Sequence, residues 1–199
     1  VKTDAHTLAA GIAIEKVFQK HGIKHAISFH SSIKRAEDFC SQQTAFSGKL
    51  ASKLDVKNRN ISSRLSAGQR SQVLKNSAAN DYSLITNARC LTEGIDIPEI
   101  DCVAFIDPKR SVVDIVQAAG RAMRRSEKTG KTYGYILLPI IVPVGSSLEE
   151  FADTTDFRAI ARVLAVLSTH DTRIVEQMRL KKPGRPPNPG DVLVIDSDI

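Results

Sequence analysis

The chain has 199 residues, 42% of them hydrophobic, and a formal net charge of +6 from 28 Lys and Arg against 22 Asp and Glu. That length supports one good core, the charge favours an anionic partner, and no apolar run reaches the ~20 residues of a membrane span. Three cysteines, Cys40, Cys90 and Cys102, are odd in number and lack C-x-x-C spacing, which argues against a disulfide framework or a zinc site. With no signal-peptide pattern at the N-terminus, a reducing cytoplasm is the expected location.

Leu8, Ile12, Ala13, Val17 and Phe18 recur at helical spacing and predict an amphipathic helix ending near His21-Gly22, where glycine takes the left-handed cap. His25 to His30 reads as the first strand. Ser31 and Ser32 follow as helix caps, with a helix through Ile33, Ala36, Phe39 and Cys40. Residues 49–75 are the most basic stretch: Lys49, Lys53, Lys57, Arg59, Arg64, Arg70 and Lys75 stand against Asp55 alone. Such a run either tracks a phosphate backbone, with steep salt dependence, or is a solvated connection. A helix begins near Ser66, whose N-cap oxygen and Gln69 three residues on form a capping box.

Leu84-Ile85-Thr86 predicts the next strand and Cys102 to Ile106 another, separated by a loop containing Gly94-Ile95-Asp96-Ile97-Pro98. In an open parallel sheet, ligands sit beyond the carboxyl ends of strands, which places that loop well for a site. Asp96 suits either a ribose hydroxyl or a turn that caps its own backbone. From Gln117 the pattern is Q-x-x-G-R-x-x-R, and on a helix Gln117, Gly120, Arg121 and Arg124 share one face. Val112, Val116, Ala119 and Met123 form a core-facing stripe on another side. Two guanidiniums one turn apart suit phosphate oxygens held in fixed geometry, whereas the plainer reading is a basic surface helix.

Gly130-Lys131-Thr132 ends like a phosphate-binding loop, but Arg125 occupies the required earlier glycine and the segment runs into a strand, Tyr133 to Leu138. Helical patterns follow around Phe151, Phe157, Ile160 and Leu164, and around Ile174 and Met178. Lys181 to Gly190 reads as a proline- and glycine-rich linker, and Val192 to Ile195 as a strand start. The predicted fold class is therefore α/β: a mostly parallel sheet with helices on both faces, plus C-terminal helices. Residues 1–146 are the expected domain, 147–180 a helical extension, and 181–199 a linker into a further segment.

TEGIDIP and QAAGRAMRR, in this order and at this distance, resemble motifs V and VI in the second RecA-like domain of superfamily 2 helicases and translocases. The wording is most similar to restriction-type bacterial DNA translocases. This resemblance implies half of an ATP site, completed by a first RecA-like domain that holds most of the Mg²⁺ contacts. No Asp-Glu dipeptide occurs in the chain to supply that half. By resemblance, Arg124 would be the arginine finger, Arg121 its companion on the γ-phosphate, and Gln117 a coupling residue. Gly94, Asp96 and Gly120 would serve ATP. Ser31, Ser32, Thr86, Asn87, Arg89, Lys53, Lys57 and Arg59 would face nucleic acid, DNA or RNA. The Gly184-Arg185-Pro186 core of the linker resembles an AT-hook, which lays arginine into the minor groove. A non-catalytic nucleic-acid-binding module is the alternative; a Rossmann enzyme is disfavoured because no G-x-G-x-x-G follows a strand.

Overall fold

The computed structural model describes residues 5–47, 54–88, 100–107 and 134–139. In chain order these form α1 (Ala5–His21), β1 (His25–Phe29), α2 (Ile33–Phe46), β2 (Lys57–Ile61), α3 (Ala67–Ala78), β3 (Ser83–Asn87), β4 (Cys102–Phe105) and β5 (Tyr135–Leu137). The described strands make one sheet in the order β2-β3-β1-β4-β5, with every pair parallel. This is the mostly parallel α/β arrangement that the alternation of helix and strand patterns predicts, and it fits the RecA-like fold that the resemblance implies.

Local chemistry explains the element boundaries. Gly22 closes α1 at φ 64°, the left-handed conformation that a side chain would disfavour. Ser32 caps α2 by accepting from the Arg35 amide, and Ser66 caps α3 with Gln69 completing a reciprocal capping box. These end groups satisfy amides that the first turn of a helix leaves without an internal partner.

The strands of the sheet's interior are short apolar runs because both faces are covered. On one face Ala26, Leu84, Cys102 and Ala104 join Ala10, Ile14, Val17 and Phe18 of α1 and Phe39 of α2 in one buried cluster. On the other, Ile27 lies in register with Ile85 and Val103, and Phe29 stacks on Phe105 at 5.6 Å between centroids. The run from β1 to β2 moves one way across the sheet and that from β2 to β3 moves back, so right-handed crossovers put α2 and α3 on opposite faces.

One strand carries no strand signal in its sequence. Lys57–Ile61 reads KNRNI, with a single aliphatic residue, and the sequence presents it only as part of a basic connection. It is nevertheless a strand, the outermost of those described, with Asn58 and Ile61 buried while Lys57 and Arg59 face solvent. Cationic side chains on an exposed edge also discourage pairing with another chain.

β4 is tied to β1 at both ends. At its start, Asp101 Oδ2 accepts from the amides of Lys24 and His25 at 3.0 and 3.1 Å. Beyond its other end, Ile106 and Asp107 donate backbone hydrogens to Phe29 O. No helix among the described residues is long and apolar enough to cross a membrane. The expected helical extension, the linker with Gly184-Arg185-Pro186 and the Gly130-Lys131-Thr132 turn lie outside the described residues.

Candidate functional site

The chain leaves the carboxyl end of β1 toward β2 and the carboxyl end of β4 toward β5, in opposite directions across the sheet. The crevice between two such strands is the switch point where open α/β sheets bind ligands. Here it is spanned by one carboxylate. Asp107 Oδ2 accepts from the Ser31 amide at 2.9 Å, the Ser31 hydroxyl at 3.0 Å and Arg35 Nε at 2.8 Å. Asp107 Oδ1 accepts from Arg35 Nη2 at 2.6 Å. The guanidinium thus engages both oxygens in the fork geometry that makes such pairs strong.

Electrostatics follow from these bonds. Burial alone would raise the Asp107 carboxyl, but hydrogen bonds from Arg35 and Ser31 and the guanidinium charge outweigh it and hold the pKa below the ordinary 3.8. His30 sits beside this group with 2% of its surface exposed. Its Nε2 is 3.0 Å from Ser28 Oγ, and its ring packs on Phe39 at 4.9 Å. Burial lowers its pKa from 6.5 to about 4, with Asp107 opposing and Arg35 assisting. His30 is therefore neutral near pH 7, and its 3.9 Å approach to Asp107 is not an ion pair there.

Beneath α2 lies a polar row in register across three strands: Asn60, Thr86 and Ser28. Asn60 Nδ2 donates to Thr86 Oγ1 at 2.9 Å. The Cys40 thiol is within hydrogen-bonding reach of Thr86 and Thr44; burial pushes its pKa up, so the thiol stays protonated and is no nucleophile. Thr86 and Asn87 have no exposed surface. The His30 amide donates to Asn87 O at 2.9 Å, extending the ladder past the end of β1.

The described residues thus separate the expected nucleic-acid contacts into three settings. Ser31 and Ser32 are exposed at the β1–α2 turn, one bound to Asp107 and the other capping α2. Thr86 and Asn87 lie buried at the end of β3, Thr86 bonded to Asn60 beneath α2 and Asn87 accepting from the His30 amide just before that turn. Lys57 and Arg59 stand on the β2 edge, two strand spacings or roughly 10 Å from β1. Lys57 is paired with Asp55 at 2.7 Å, and Arg59 donates to the Asn58 carbonyl at 2.9 Å. Arg64, in the same basic stretch, is tied to Glu37 of α2. Lys53, Arg89, Gly94, Asp96, Gln117, Gly120, Arg121 and Arg124 lie outside the described residues.

Arg35 and Asp107 are absent from the residues singled out in the sequence. A signal was available: an aspartate directly after a buried strand and before Pro108 faces the switch point. Its partner, 72 positions earlier, leaves no local pattern.

The chain matches the family described as helicase conserved C-terminal domain over residues 10–126. It is 29% identical over 111 residues to UvrABC system protein B of Chlorobium limicola, covering 53% of this chain and 15% of that protein. It is 25% identical over 130 residues to the protein of the same name from Helicobacter acinonychis, covering 63% of this chain and 18% of the relative. Among solved structures, an ATP-dependent Type ISP restriction-modification enzyme, LlaBIII bound to DNA, superimposes with TM-score 0.74 at 29% identity, covering 90% of this chain and 13% of that one. The helicase Lhr of Mycobacterium smegmatis, bound to ssDNA and AMP-PNP, shares the fold with TM-score 0.58 at 21% identity, over 80% of this chain and 19% of that one. The chain thus spans less than a fifth of each of these proteins.

Proposed function

Because the chain belongs to the family of helicase conserved C-terminal domains, we propose that it is the second motor domain of an ATP-dependent DNA translocase or helicase, acting with a first RecA-like domain of a longer protein. The observation that carries this reading is the likeness, over nearly the whole chain, to a DNA-bound ATP-dependent restriction enzyme. The sheet's switch point, lined by donors at the β1–α2 turn, supports it.

In this reading the chain contributes to phosphoryl transfer by electrostatics. Arg124 and Arg121 meet negative charge that develops on the transferred phosphoryl group, and an arginine in that role supplies about 10³–10⁵ in rate. Gln117 links nucleotide to the domain interface, and Gly94, Asp96 and Gly120 line the nucleotide. Mg²⁺, held mainly by the first domain, would supply charge neutralisation on the ATP phosphates. The isolated chain, lacking that partner, should not turn over ATP.

Nucleic acid is assigned to the turn at Ser31 and Ser32 and to Arg89, which follows β3 in sequence. Thr86 and Asn87 act as its supports. Lys57 and Arg59 extend the positive surface along β2, and Lys53 adds to the same basic stretch in sequence. DNA is favoured over RNA by the restriction-enzyme likeness.

The test is DNA-stimulated ATP hydrolysis by the full-length protein beside the isolated chain. Stimulated turnover only in the full-length protein is expected. No stimulated turnover in either would leave a RecA-like domain that binds nucleic acid without driving a motor.

A further inference from the structure

Both polar hydrogens of Ser31 are already committed. Its backbone amide and its hydroxyl each donate one hydrogen, and both are directed at Asp107 Oδ2. A phosphate oxygen seated at the β1–α2 turn needs those same hydrogens. It would also sit beside the Asp107 carboxylate, where two anions repel.

We infer that Asp107 is a positioning residue that competes with nucleic-acid phosphate for the two donors of Ser31, so that filling the β1–α2 turn loosens the end of β4. This rests on the reading of that turn as a nucleic-acid contact. Asp107 holds four hydrogen bonds from Ser31 and Arg35 and ties the end of β4 to the start of α2. With a phosphate on Ser31, the two bonds from Arg35 remain and the tie weakens by half its donors. In sequence, Asp107 leads directly into the stretch that carries Gln117, Arg121 and Arg124. The exchange of partners at Ser31 therefore reports occupancy of the nucleic-acid surface to the segment assigned to ATP. It does so without a contact between the two ligands.

The experiment uses the full-length protein and a fluorescein-labelled oligo-deoxythymidine, with affinity read by anisotropy and ATP turnover measured in parallel. Asp107→Asn removes the competing charge and should bind the oligonucleotide about fivefold more tightly. The ratio of stimulated to unstimulated turnover should fall. Adding Ser31→Ala should remove most of the gain in affinity, because the gain depends on Ser31. Loss of a nearby negative charge alone would give the same gain in either background, and that result overturns the proposal.

A second measurement requires only the wild type. Hydrogen exchange across 102–107 should quicken when the oligonucleotide binds, and unchanged or slower exchange would overturn the proposal. If the wild type does not bind the oligonucleotide at all, the functional reading fails and the proposal with it. If it binds but Asp107→Asn binds equally or more weakly, the proposal alone fails.

Discussion

Arg35 is half exposed, while the Asp107 side chain that it grips is 10% exposed. An exposed ion pair contributes little, but here removal of the guanidinium strips two hydrogen bonds from a largely buried carboxylate. Arg35→Ala should cost about 1–2 kcal/mol in urea unfolding, and Arg35→Lys should recover only part, because an ammonium cannot make the two-pronged contact. Since the Asp107 carboxyl is held below its ordinary value, its contribution is present above the unfolded carboxyl pKa and is lost as pH falls through the native one. His30 acts over a different range. A buried base with lowered pKa leaves stability intact above pH 6.5; as pH falls toward about 4 the unfolded chain takes up the proton first and stability declines. The full effect is on the order of 3 kcal/mol, of which about 1 kcal/mol falls in the first pH unit below the ordinary value. His30→Asn should flatten the pH dependence of thermal unfolding in that first unit, before carboxylates begin to titrate. An unchanged slope would mean that another group carries it.

Elements with strong local chemistry were legible from sequence. Ser66 and Gln69 announce the start of α3, Gly22 the end of α1, and the runs HAISF, SLITN and CVAF the interior strands. β2 was not legible because its inward-facing side chains are mostly amides. Asn60 is held by hydrogen bonds to Thr86, and Asn58 donates to the Val56 carbonyl, so the inward face of this strand carries no alternating hydrophobic signal. The same property makes part of the basic stretch a strand that presents Lys57 and Arg59 at alternate positions. Replacing Lys53, Lys57 and Arg59 together by Glu in the full-length protein should weaken DNA binding. It should also lower the slope of log affinity against log salt by about 0.9 for each duplex phosphate that the protein no longer neutralises. An unchanged slope would return the edge to a solvated surface. The candidate site was legible to a similar degree: its serines stand out as caps, but the Asp107–Arg35 pair joins residues that only the β1–β4 pairing brings together.

For the whole molecule, the proposed function would concentrate ATP chemistry on residues 94–124 and nucleic-acid contact on the strand ends that precede them. Arg124→Ala in the full-length protein should reduce ATP turnover by at least about 10³-fold while leaving nucleotide binding nearly unchanged. Steady-state hydrolysis beside a fluorescent-nucleotide titration would separate the two, and near-normal turnover would remove Arg124 from the role.

The strand order has a consequence for the chain as it is made. β1 and β2 are not neighbours; both pair with β3, and the other partner of β1 is the still later β4. Among the described strands, two are therefore synthesised before the sheet neighbour of either has been made. α1, α2 and α3 can form by local contacts, but HAISF, buried at every position in the finished sheet, stays unpaired until Ser83–Asn87 emerges. Long-range parallel pairing is slow, and an unpaired apolar strand is prone to the wrong partners. The interval between synthesis of β1 and β3 is thus a period in which HAISF is open to wrong pairing.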